Sequence, residues 1–334
     1  MAGRAARISF LTVATVDRRM TGITQEPDKA GDIGIGARNP KPAADYCLMT
    51  AAYNEQDNIG RTIESVLAQT LLPKRWVIVS DGSTDKTDEI IKSYAEKSDF
   101  ILFLKMTREP GRSFGRKVAA LRAGGKLLED VRFTFIGNLD ADISLDADYF
   151  ENLLRCFDRE PSLGLAGGFV CEHTQGEFQS RPSNRAYSVA HAAQLVRREV
   201  YEQIGGYAGC RYGGEDWHAQ TAAKMVGWRA EAFPELKVFH HRRTGEADNL
   251  LRDRFRLGRL DYCFGSYPLF EVFKCLQRLP ERPFLIGGLL RLAGFTWCYL
   301  AGEDREFSPA FITFLRTEQK DKLRSAFGGG HPRP

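Results

Sequence analysis

Short apolar runs alternate with amphipathic helical stretches from residue 46 onward, and this alternation leaves few folds open to the chain. The apolar runs are YCLMTAAY from residue 46, RWVIVSD from residue 75 and FILFLKM from residue 100. Helical patterns follow them at residues 58–70, 85–96 and 113–128, and the first has an apolar face of Ile59, Ile63, Val66 and Leu67. The pattern predicts an α/β fold with a mostly parallel central sheet and helices on both faces.

Polar stretches follow the predicted strands: AAYNEQDN, SDGSTD and, later in the chain, NLDAD. Ligands of parallel α/β sheets bind outside the carboxyl ends of the strands. Because parallel strands end at the same edge of a sheet, we expect the acidic residues of these stretches to lie together. We call Glu55, Asp81, Asp140 and Asp142 the acidic rim, and we expect the rim to belong to the functional site.

The stretch GNLDADISLDADYF, residues 137–150, follows a predicted strand over 131–136 and allows two interpretations. An EF-hand calcium loop would run from Asp140 to Glu151. Leu145 stands where that loop needs glycine for its sharp turn, and no helix precedes it, which disfavours the loop. In the second interpretation only Asp140 and Asp142 bind a cation, because residues two apart in extended chain point the same way.

The second interpretation also predicts a helix over about residues 146–158, capped by Asp146 or Asp148. Its buried face would be Phe150, Leu153, Leu154 and Phe157.

Composition narrows the class of protein. Of the 334 residues, 43% are hydrophobic and 27% are charged, which is ordinary for a soluble globular protein. The net charge of +4 is too small to indicate a nucleic-acid partner. Seven scattered cysteines without a CxxC pair favour reduced thiols, and therefore a cytoplasmic protein, over a disulfide framework or a zinc site.

Three regions of the chain differ in pattern. Residues 1–43 mix a short apolar run with Gly, Pro and charged residues, which predicts a flexible segment. Residues 44–245 carry the sheet pattern and predict one α/β domain. Residues 246–334 predict a helical, basic and aromatic extension.

The extension contains an apolar stretch at residues 284–300 that is interrupted by Arg291 and three glycines. This interruption predicts a packed or interfacial helix rather than a membrane span. Arginines lie beside aromatic residues just before it, at Arg252, Arg254, Arg256 and Arg259. Peripheral contact with an anionic membrane and a helical appendage that covers the sheet both fit this composition, and both interpretations stay open.

Four motifs occur in order along the chain: TAAYNEQDNIGRTIESVLAQT, VIVSDGSTDKTDEII, LDADI and GGEDWHAQTAAKMVGW. In these motifs the chain resembles the family 2 glycosyltransferases with a GT-A fold, over about residues 46–245. The resemblance implies an inverting, metal-dependent enzyme that moves a sugar from a nucleotide-diphosphate donor to a saccharide or lipid-linked acceptor. It also implies a role in cell-envelope or exopolysaccharide synthesis. The basic and aromatic extension would allow this cytoplasmic protein to contact the inner face of the cytoplasmic membrane.

The resemblance implies roles for individual residues. Asp216 would be the catalytic base, with Glu215 beside it at the start of a helix. Asp140, Asp142 and His240 would hold Mg²⁺ or Mn²⁺. The nucleotide-sugar site would comprise Ala52, Tyr53, Glu55, Asp81, Arg116, Lys117, Asp140, Gln194 and Arg197.

Structural interpretations compete with several of these roles. Glu215 and Asp216 also suit a pair of acids that opens a helix. Arg112 and Lys117 also suit a solvated basic helix face. His240 fits a buried structural histidine as well as a metal ligand.

Other functions remain as alternatives. Processive members of the family carry a QxxRW signature and flanking membrane spans, and because neither is found here we expect addition of a single sugar. A sugar-nucleotide nucleotidyltransferase would share the sheet, but its glycine-rich, basic amino-terminal signature is missing. A non-catalytic calcium- or polysaccharide-binding module would follow from the EF-hand-like spacing.

Overall fold

The computed structural model describes residues 45–107, 115–174, 176–209, 211–242, 250–280 and 283–327. The strands are β1 (Tyr46–Ala52), β2 (Arg75–Asp81), β3 (Ile101–Met106), β4 (Phe135–Leu139), β5 (Ile143–Leu145), β6 (Leu163–Thr174), β7 (Glu177–Ser180), β8 (Ala193–Arg197) and β9 (Arg229–His240). The helices are α1 (Ile59–Leu67), α2 (Thr87–Ala95), α3 (Gly115–Lys126), α4 (Tyr149–Arg159), α5 (Arg198–Gln203), α6 (Glu215–Met225), α7 (Leu250–Cys263), α8 (Pro268–Gln277), α9 (Ile286–Leu300) and α10 (Pro309–Phe327). The predicted flexible segment 1–43 and the predicted boundary at residue 245 lie outside the described residues.

Within the described residues, nine strands form one sheet in the order β3-β2-β1-β4-β8-β6-β9-β5, with β7 paired to β6. The strands β3, β2, β1 and β4 run parallel to one another. Beyond β4 the sheet is mixed, because β8 runs antiparallel to both β4 and β6 while β9 runs parallel to β6. The predicted α/β fold with a central sheet and helices is confirmed.

The first three predicted strands match β1, β2 and β3, but the fourth begins later than predicted. It starts at Phe135, which pairs with Tyr46 at the beginning of β1. The preceding residues form turns instead; the N–H of Val131, for example, donates to the carbonyl of Leu128. Strand pairing, rather than the apolar run alone, therefore decides where β4 begins.

Two layers of helices cover the sheet. In one hydrophobic core α1 and α4 pack against one face of the sheet, and in the other α3 and α6 pack against the opposite face. The predicted buried faces of α1 and α4 hold except at Leu67, the last residue of α1, which stays exposed. The predicted side-chain cap of α4 is wrong, because Asp148 occupies the N-cap without a cap hydrogen bond and the helix begins at Tyr149.

The EF-hand interpretation of residues 140–151 is contradicted by strand β5. Residues 143–145 pair antiparallel with β9, and Leu145 lies opposite Val238 with its side chain buried. A calcium loop would need these positions to curl around an ion. Asp146 and Asp148 instead point to solvent.

The carboxyl-terminal helices pack at unusually close range. A Cβ atom added at Gly258 of α7 would lie 1.8 Å from the carbonyl oxygen of Arg291 in α9. One added at Gly294 of α9 would lie 2.1 Å from the carbonyl oxygen of Phe255. The predicted helix at 284–300 is therefore a packed helix, and no helix in the described ranges is long and apolar enough to cross a membrane.

We expect Gly258→Ala to destabilise the protein by about 1–3 kcal/mol or more, because the new methyl group would force α7 and α9 apart. Gly60→Ala in α1 is the matched control, since its Cβ would meet no other atom closer than 3.9 Å. That control should be neutral or stabilising by about 0.5–1 kcal/mol. Urea unfolding midpoints measure both, and a neutral Gly258→Ala would refute the close crossing.

Candidate functional site

The loops after β1 and β2 are joined by side-chain hydrogen bonds. The N–H of Thr84 donates to Oδ1 of Asn54 over 2.9 Å, and the N–H of Asn54 donates to Oγ of Ser83 over 3.1 Å. Asn54 has a φ of 53°, a left-handed conformation that asparagine tolerates better than most residues. The N–H of Glu55 donates to Oγ1 of Thr87 over 2.8 Å, which holds the Glu55 carboxylate in a buried position.

Asp81 is the last residue of β2 and forms a two-point ion pair with Arg116. The Arg116 guanidinium donates through Nε over 2.8 Å and through Nη2 over 2.6 Å to the two carboxylate oxygens. This fork geometry fixes both side chains. Arg116 lies in the first turn of α3, so the start of that helix faces the acidic rim. The nearby Arg112 lies outside the described residues.

Asp140 directly follows β4 and is held from two sides. Nζ of Lys117 lies 2.7 Å from its Oδ1, and Nδ2 of Asn138 donates to the same oxygen over 3.1 Å. Lys117 also reaches Oε1 of Glu215, at 3.7 Å. Burial opposes the charge of Lys117, but the carboxylates of Asp140 and Glu215 raise its pKa. The lysine therefore stays charged and links the rim to the start of α6.

Asp142 is paired with two basic residues from the end of β9. Nε2 of His240 lies 3.3 Å from its Oδ1, and Nη2 of Arg242 lies 2.8 Å from its Oδ2. The same guanidinium nitrogen also contacts Oε1 of Glu55. Burial opposes ionisation of Asp142, but His240 and Arg242 lower its pKa to about 2. Burial likewise opposes the imidazolium of His240, while Asp142 raises the pKa of that ring.

The predicted metal ligands are close together but engage different cations. Asp140 is bound by Lys117, whereas Asp142 is bound by His240 and Arg242. In the part of the chain that the structure describes, no three His, Cys, Asp or Glu side chains are grouped tightly enough to hold a metal ion. The donor atoms nevertheless suit one, because Asp142 and His240 offer oxygen and nitrogen side by side.

Glu215 and Asp216 open α6 behind two glycines in left-handed conformations. Gly214 has a φ of 90°, and a Cβ there would lie 2.7 Å from Cε2 of Phe264. Asp216 is half-buried, and its Oδ1 accepts a hydrogen bond from the N–H of Trp217 over 2.7 Å. Burial, followed by the neighbouring charge of Glu215, raises the pKa of Asp216 to about 6. Its carboxylate can therefore gain and lose a proton near neutral pH.

Ala52 and Tyr53 lie where β1 meets the rim. The Ala52 methyl group is buried, so only its backbone atoms can contact a ligand. Tyr53 is exposed beside it. These two residues and the acidic rim thus lie at one edge of the sheet, together with Arg116, Lys117, Glu215, Asp216 and His240.

Of the two predicted binding residues on β8, Gln194 borders this edge and Arg197 does not, so the prediction for Arg197 needs correction. Gln194 is the second residue of β8 and pairs with Asn138 of β4, two residues before Asp140, with its side chain fully buried, so its binding role stays a prediction. Arg197 pairs with Phe135 at the opposite edge of the sheet. There it donates to the carbonyls of Leu163 and Phe157, and it is a structural residue. An antiparallel strand reverses the direction that the sequence motif suggested.

Sequence reasoning missed Arg242 and His191. Arg242 follows His240, the last residue of β9, by two residues, and both side chains contact Asp142. His191 is buried with its ring edge-on to Tyr207, and its Nδ1 lies 4.0 Å from Oε1 of Glu215. Burial and then Lys117 lower the pKa of His191, so the ring is neutral. No local pattern marks His191.

Comparison with known proteins agrees with the geometry. Residues 47–214, half of the chain, match the model of Glycosyl transferase family 2. Over 121 residues the chain is 33% identical to the poly-beta-1,6-N-acetyl-D-glucosamine synthase of Staphylococcus aureus strain MSSA476 and 31% identical to that of Staphylococcus epidermidis. These matches cover 36% of this chain and 27% of each relative, so the chain matches about a quarter of their length.

Two solved structures are similar at low identity. GalNAc-T7 with UDP, GalNAc and Mn²⁺ has a TM-score of 0.52 and 14% identity, over 80% of this chain and 59% of that one. Mannosyltransferase PcManGT from Pyrobaculum calidifontis, in complex with GDP-Man and Mn²⁺, has a TM-score of 0.49 and 16% identity, over 86% of this chain and 84% of that one. The first likeness bears on the fold alone and agrees with the mixed sheet. The chain therefore belongs to glycosyl transferase family 2 and is a glycosyltransferase with a GT-A fold.

Proposed function

We propose that this glycosyltransferase inverts the configuration of the sugar it transfers and depends on Mg²⁺ or Mn²⁺. It moves one sugar from a nucleotide-diphosphate donor to a saccharide or lipid-linked acceptor, in cell-envelope or exopolysaccharide synthesis. The observation that carries the proposal is the half-buried Asp216, whose pKa is raised to about 6. An inverting transfer needs one base that takes the acceptor proton as the hydroxyl attacks, and a base with a pKa near neutral pH suits that step.

The basic residues of the site suit the donor diphosphate. Arg116 and Lys117 lie in the first turn of α3, where side-chain charge and the positive end of the helix dipole favour phosphate. Lys117 reaches both Asp140 and Glu215, so it joins the donor side of the site to the base side. The names of the relatives, poly-beta-1,6-N-acetyl-D-glucosamine synthases, support a saccharide product for this chain.

The residues that would hold the metal are Asp140, Asp142 and His240. A bound metal would neutralise the negative charge that develops on the departing nucleoside diphosphate. Arg242 holds Asp142 and Glu55 in the described arrangement, so a metal at Asp142 would compete with Arg242 for that carboxylate. Arg242 is half exposed while both carboxylates are buried, and it therefore acts as a removable counter-charge.

We expect Arg242→Gln to lower the melting temperature without metal and to enlarge the rise that Mn²⁺ produces. Removal of the guanidinium leaves two buried carboxylates, Glu55 and Asp142, without their shared cation, and a metal would then replace it. Thermal shift against Mn²⁺ alone measures this effect without turnover. Arg229→Gln, which removes an exposed ion pair with Glu160, is the matched control and should change neither quantity. If Mn²⁺ raises the melting temperature of Arg242→Gln and of the parent equally, the proposal that a metal replaces Arg242 is refuted.

The function itself is tested with a panel of nucleotides and sugar donors. We expect one of UDP, GDP, CDP and dTDP, with Mn²⁺, to raise the melting temperature by mass action. The corresponding sugar nucleotide should be turned over with release of the nucleoside diphosphate, and EDTA should stop the reaction. Release of pyrophosphate would favour the nucleotidyltransferase instead. Absence of both nucleotide binding and EDTA-sensitive turnover would contradict the proposal.

A further inference from the structure

Every charged side chain of α8 and α9 points into the protein. Lys274 of α8 contacts Asp261 of α7 over 2.7 Å and Glu271 over 2.6 Å. Arg291, the single charged residue of α9, contacts Asp261 over 2.7 Å. All four side chains are largely buried. The arginine that interrupts the apolar stretch of the sequence is thus withdrawn into a buried charge cluster.

The outward faces of the same helices are apolar. On α9 the exposed positions recur at helical spacing, and Leu289 and Trp297 are 61% and 59% exposed. The large exposed hydrophobic residues of α8, α9 and the described part of the segment between them form what we call the apolar face: Leu269, Val272, Leu276, Phe284, Leu285, Ile286, Leu289, Trp297, Tyr299 and Leu300. A helix that faces water shows the reverse arrangement, with charges outward and apolar residues inward. Large apolar residues exposed together on two helices in contact, such as α8 and α9, indicate a binding surface.

We propose that the apolar face docks this protein on the surface of an anionic lipid bilayer. Hydrocarbon accepts the outward faces of α8 and α9, whose charged side chains are buried, whereas a protein partner usually meets about ten hydrogen-bonding groups across an interface. Trp297 combines an apolar ring with one N–H donor, which suits the boundary between acyl chains and headgroups. The absence of a spanning helix from the described residues agrees with a helix pair that lies in the interface.

Basic residues flank the apolar face on α10, and they supply the preference for anionic lipid. This helix packs against α8 through the rings of Phe327 and Phe273, whose centroids are 5.1 Å apart. Lys320 lies over the ring of Tyr267, directly before α8, at 5.1 Å. Lys322 lies over the ring of Tyr187 at 5.6 Å, and Arg324 pairs with Asp321 over 3.1 Å, so the attraction rests on Lys320 and on the excess of four basic over two acidic residues in α10. Each such residue near an anionic surface adds about 1 kcal/mol of attraction.

The docking helices are connected to the catalytic side of the protein. α9 crosses α7 at Gly258 and Gly294, and Phe264, directly after α7, stacks on Trp217 of α6 with ring centroids 4.2 Å apart. Trp217 follows the proposed base Asp216 in sequence. These contacts join the helices of the apolar face to the helix that carries the proposed base. The conclusion that the acceptor is lipid-linked rests on the proposed function, whereas the docking does not.

Sedimentation with lipid vesicles in the absence of donor tests the docking. We expect the full-length protein to bind vesicles of phosphatidylcholine with phosphatidylglycerol more tightly than vesicles of phosphatidylcholine alone. The double variant Leu276→Asp, Leu289→Asp should bind at least about tenfold more weakly, because two charges enter the apolar face. Leu72→Asp, at an apolar residue that is 45% exposed in the loop before β2, is the matched control and should bind as the parent does. Equal vesicle binding by the double variant would overturn the proposal.

Fluorescence quenching locates the contact. Brominated lipids should quench part of the tryptophan emission, and Trp297→Phe should remove most of that quenched part while vesicle binding persists. Trp297 should be open to acrylamide in the lipid-free protein; if it is shielded, another segment of this chain covers the face and the proposal fails. Sedimentation velocity gives the remaining distinction. If the parent protein is a dimer and the double variant is a monomer that still binds vesicles, a second copy of this chain covers the apolar face. That result would overturn the proposal of lipid docking.

These readouts are independent of turnover. Vesicle binding without donor hydrolysis would support the docking and contradict the proposed function. Donor hydrolysis without vesicle binding would support the proposed function and contradict the docking.

Discussion

Replacement of Asp216 by Asn is expected to lower sugar transfer by about 10²–10⁴-fold while donor affinity stays unchanged. The amide cannot accept the acceptor proton, yet its oxygen can still accept the hydrogen bond from the N–H of Trp217. Because the helix start is preserved, the melting temperature should change little. Steady-state transfer assays and nucleotide titration separate the two effects.

Glu199→Gln is the control for this variant, since Glu199 is also a first-turn acid, in α5, and it is exposed. It should transfer sugar at the parental rate. If Asp216 is only an acid that opens a helix, Asp216→Asn should resemble Glu199→Gln. Retained transfer in Asp216→Asn would remove the base assignment.

The pH profile gives a second readout of the same residue. Burial and the charge of Glu215 raise the pKa of Asp216 to about 6. The base must be ionised, so kcat/KM should fall as the pH decreases through about 6 and should be constant above it. If the base were a carboxyl with the ordinary pKa of about 3.9, kcat/KM would stay unchanged as the pH decreases to about 4. An acidic limb near pH 4 would therefore contradict the assignment.

The second large effect is expected from Asp142→Asn, which should lower metal-dependent turnover by about 10²–10³-fold. A metal at this site is expected to supply several kcal/mol of charge stabilisation, and the amide removes an anionic ligand. The variant also breaks contacts to His240 and Arg242, so the folded state should be checked by circular dichroism. The rise in melting temperature that Mn²⁺ produces should shrink in parallel.

Asp148→Asn is the matched control for that variant. Asp148 belongs to the same acidic stretch but is exposed and makes no cap hydrogen bond. Turnover and the Mn²⁺ response should be unchanged. Equal losses in Asp142→Asn and Asp148→Asn would mean that the whole stretch binds the cation together, which would contradict the two-aspartate interpretation.

The fold was largely predictable, because the signals that define it are local. The runs at residues 46, 75 and 100 form β1, β2 and β3. Short apolar runs that alternate with amphipathic helices are best buried as strands of a parallel sheet that the helices cover. The acidic rim was predictable for the same reason, because parallel neighbours must end at the same edge. The antiparallel direction of β8 was not predictable from the sequence, and Arg197 was therefore assigned to the wrong edge of the sheet.

The amino-acid sequence by itself determined the α/β order of the chain, the rim of Glu55, Asp81, Asp140 and Asp142, and the two acids that open α6. Only the tertiary structure decided which cation each acid binds. Arg242 is 100 residues from Asp142, and Arg291 is 30 residues from Asp261, yet both pairs are in direct contact. Periodicity of 2 or 3.6 residues reports which way a side chain points from its own element. Partners across elements depend on strand register and helix crossing, and these are set by the packing of the whole domain.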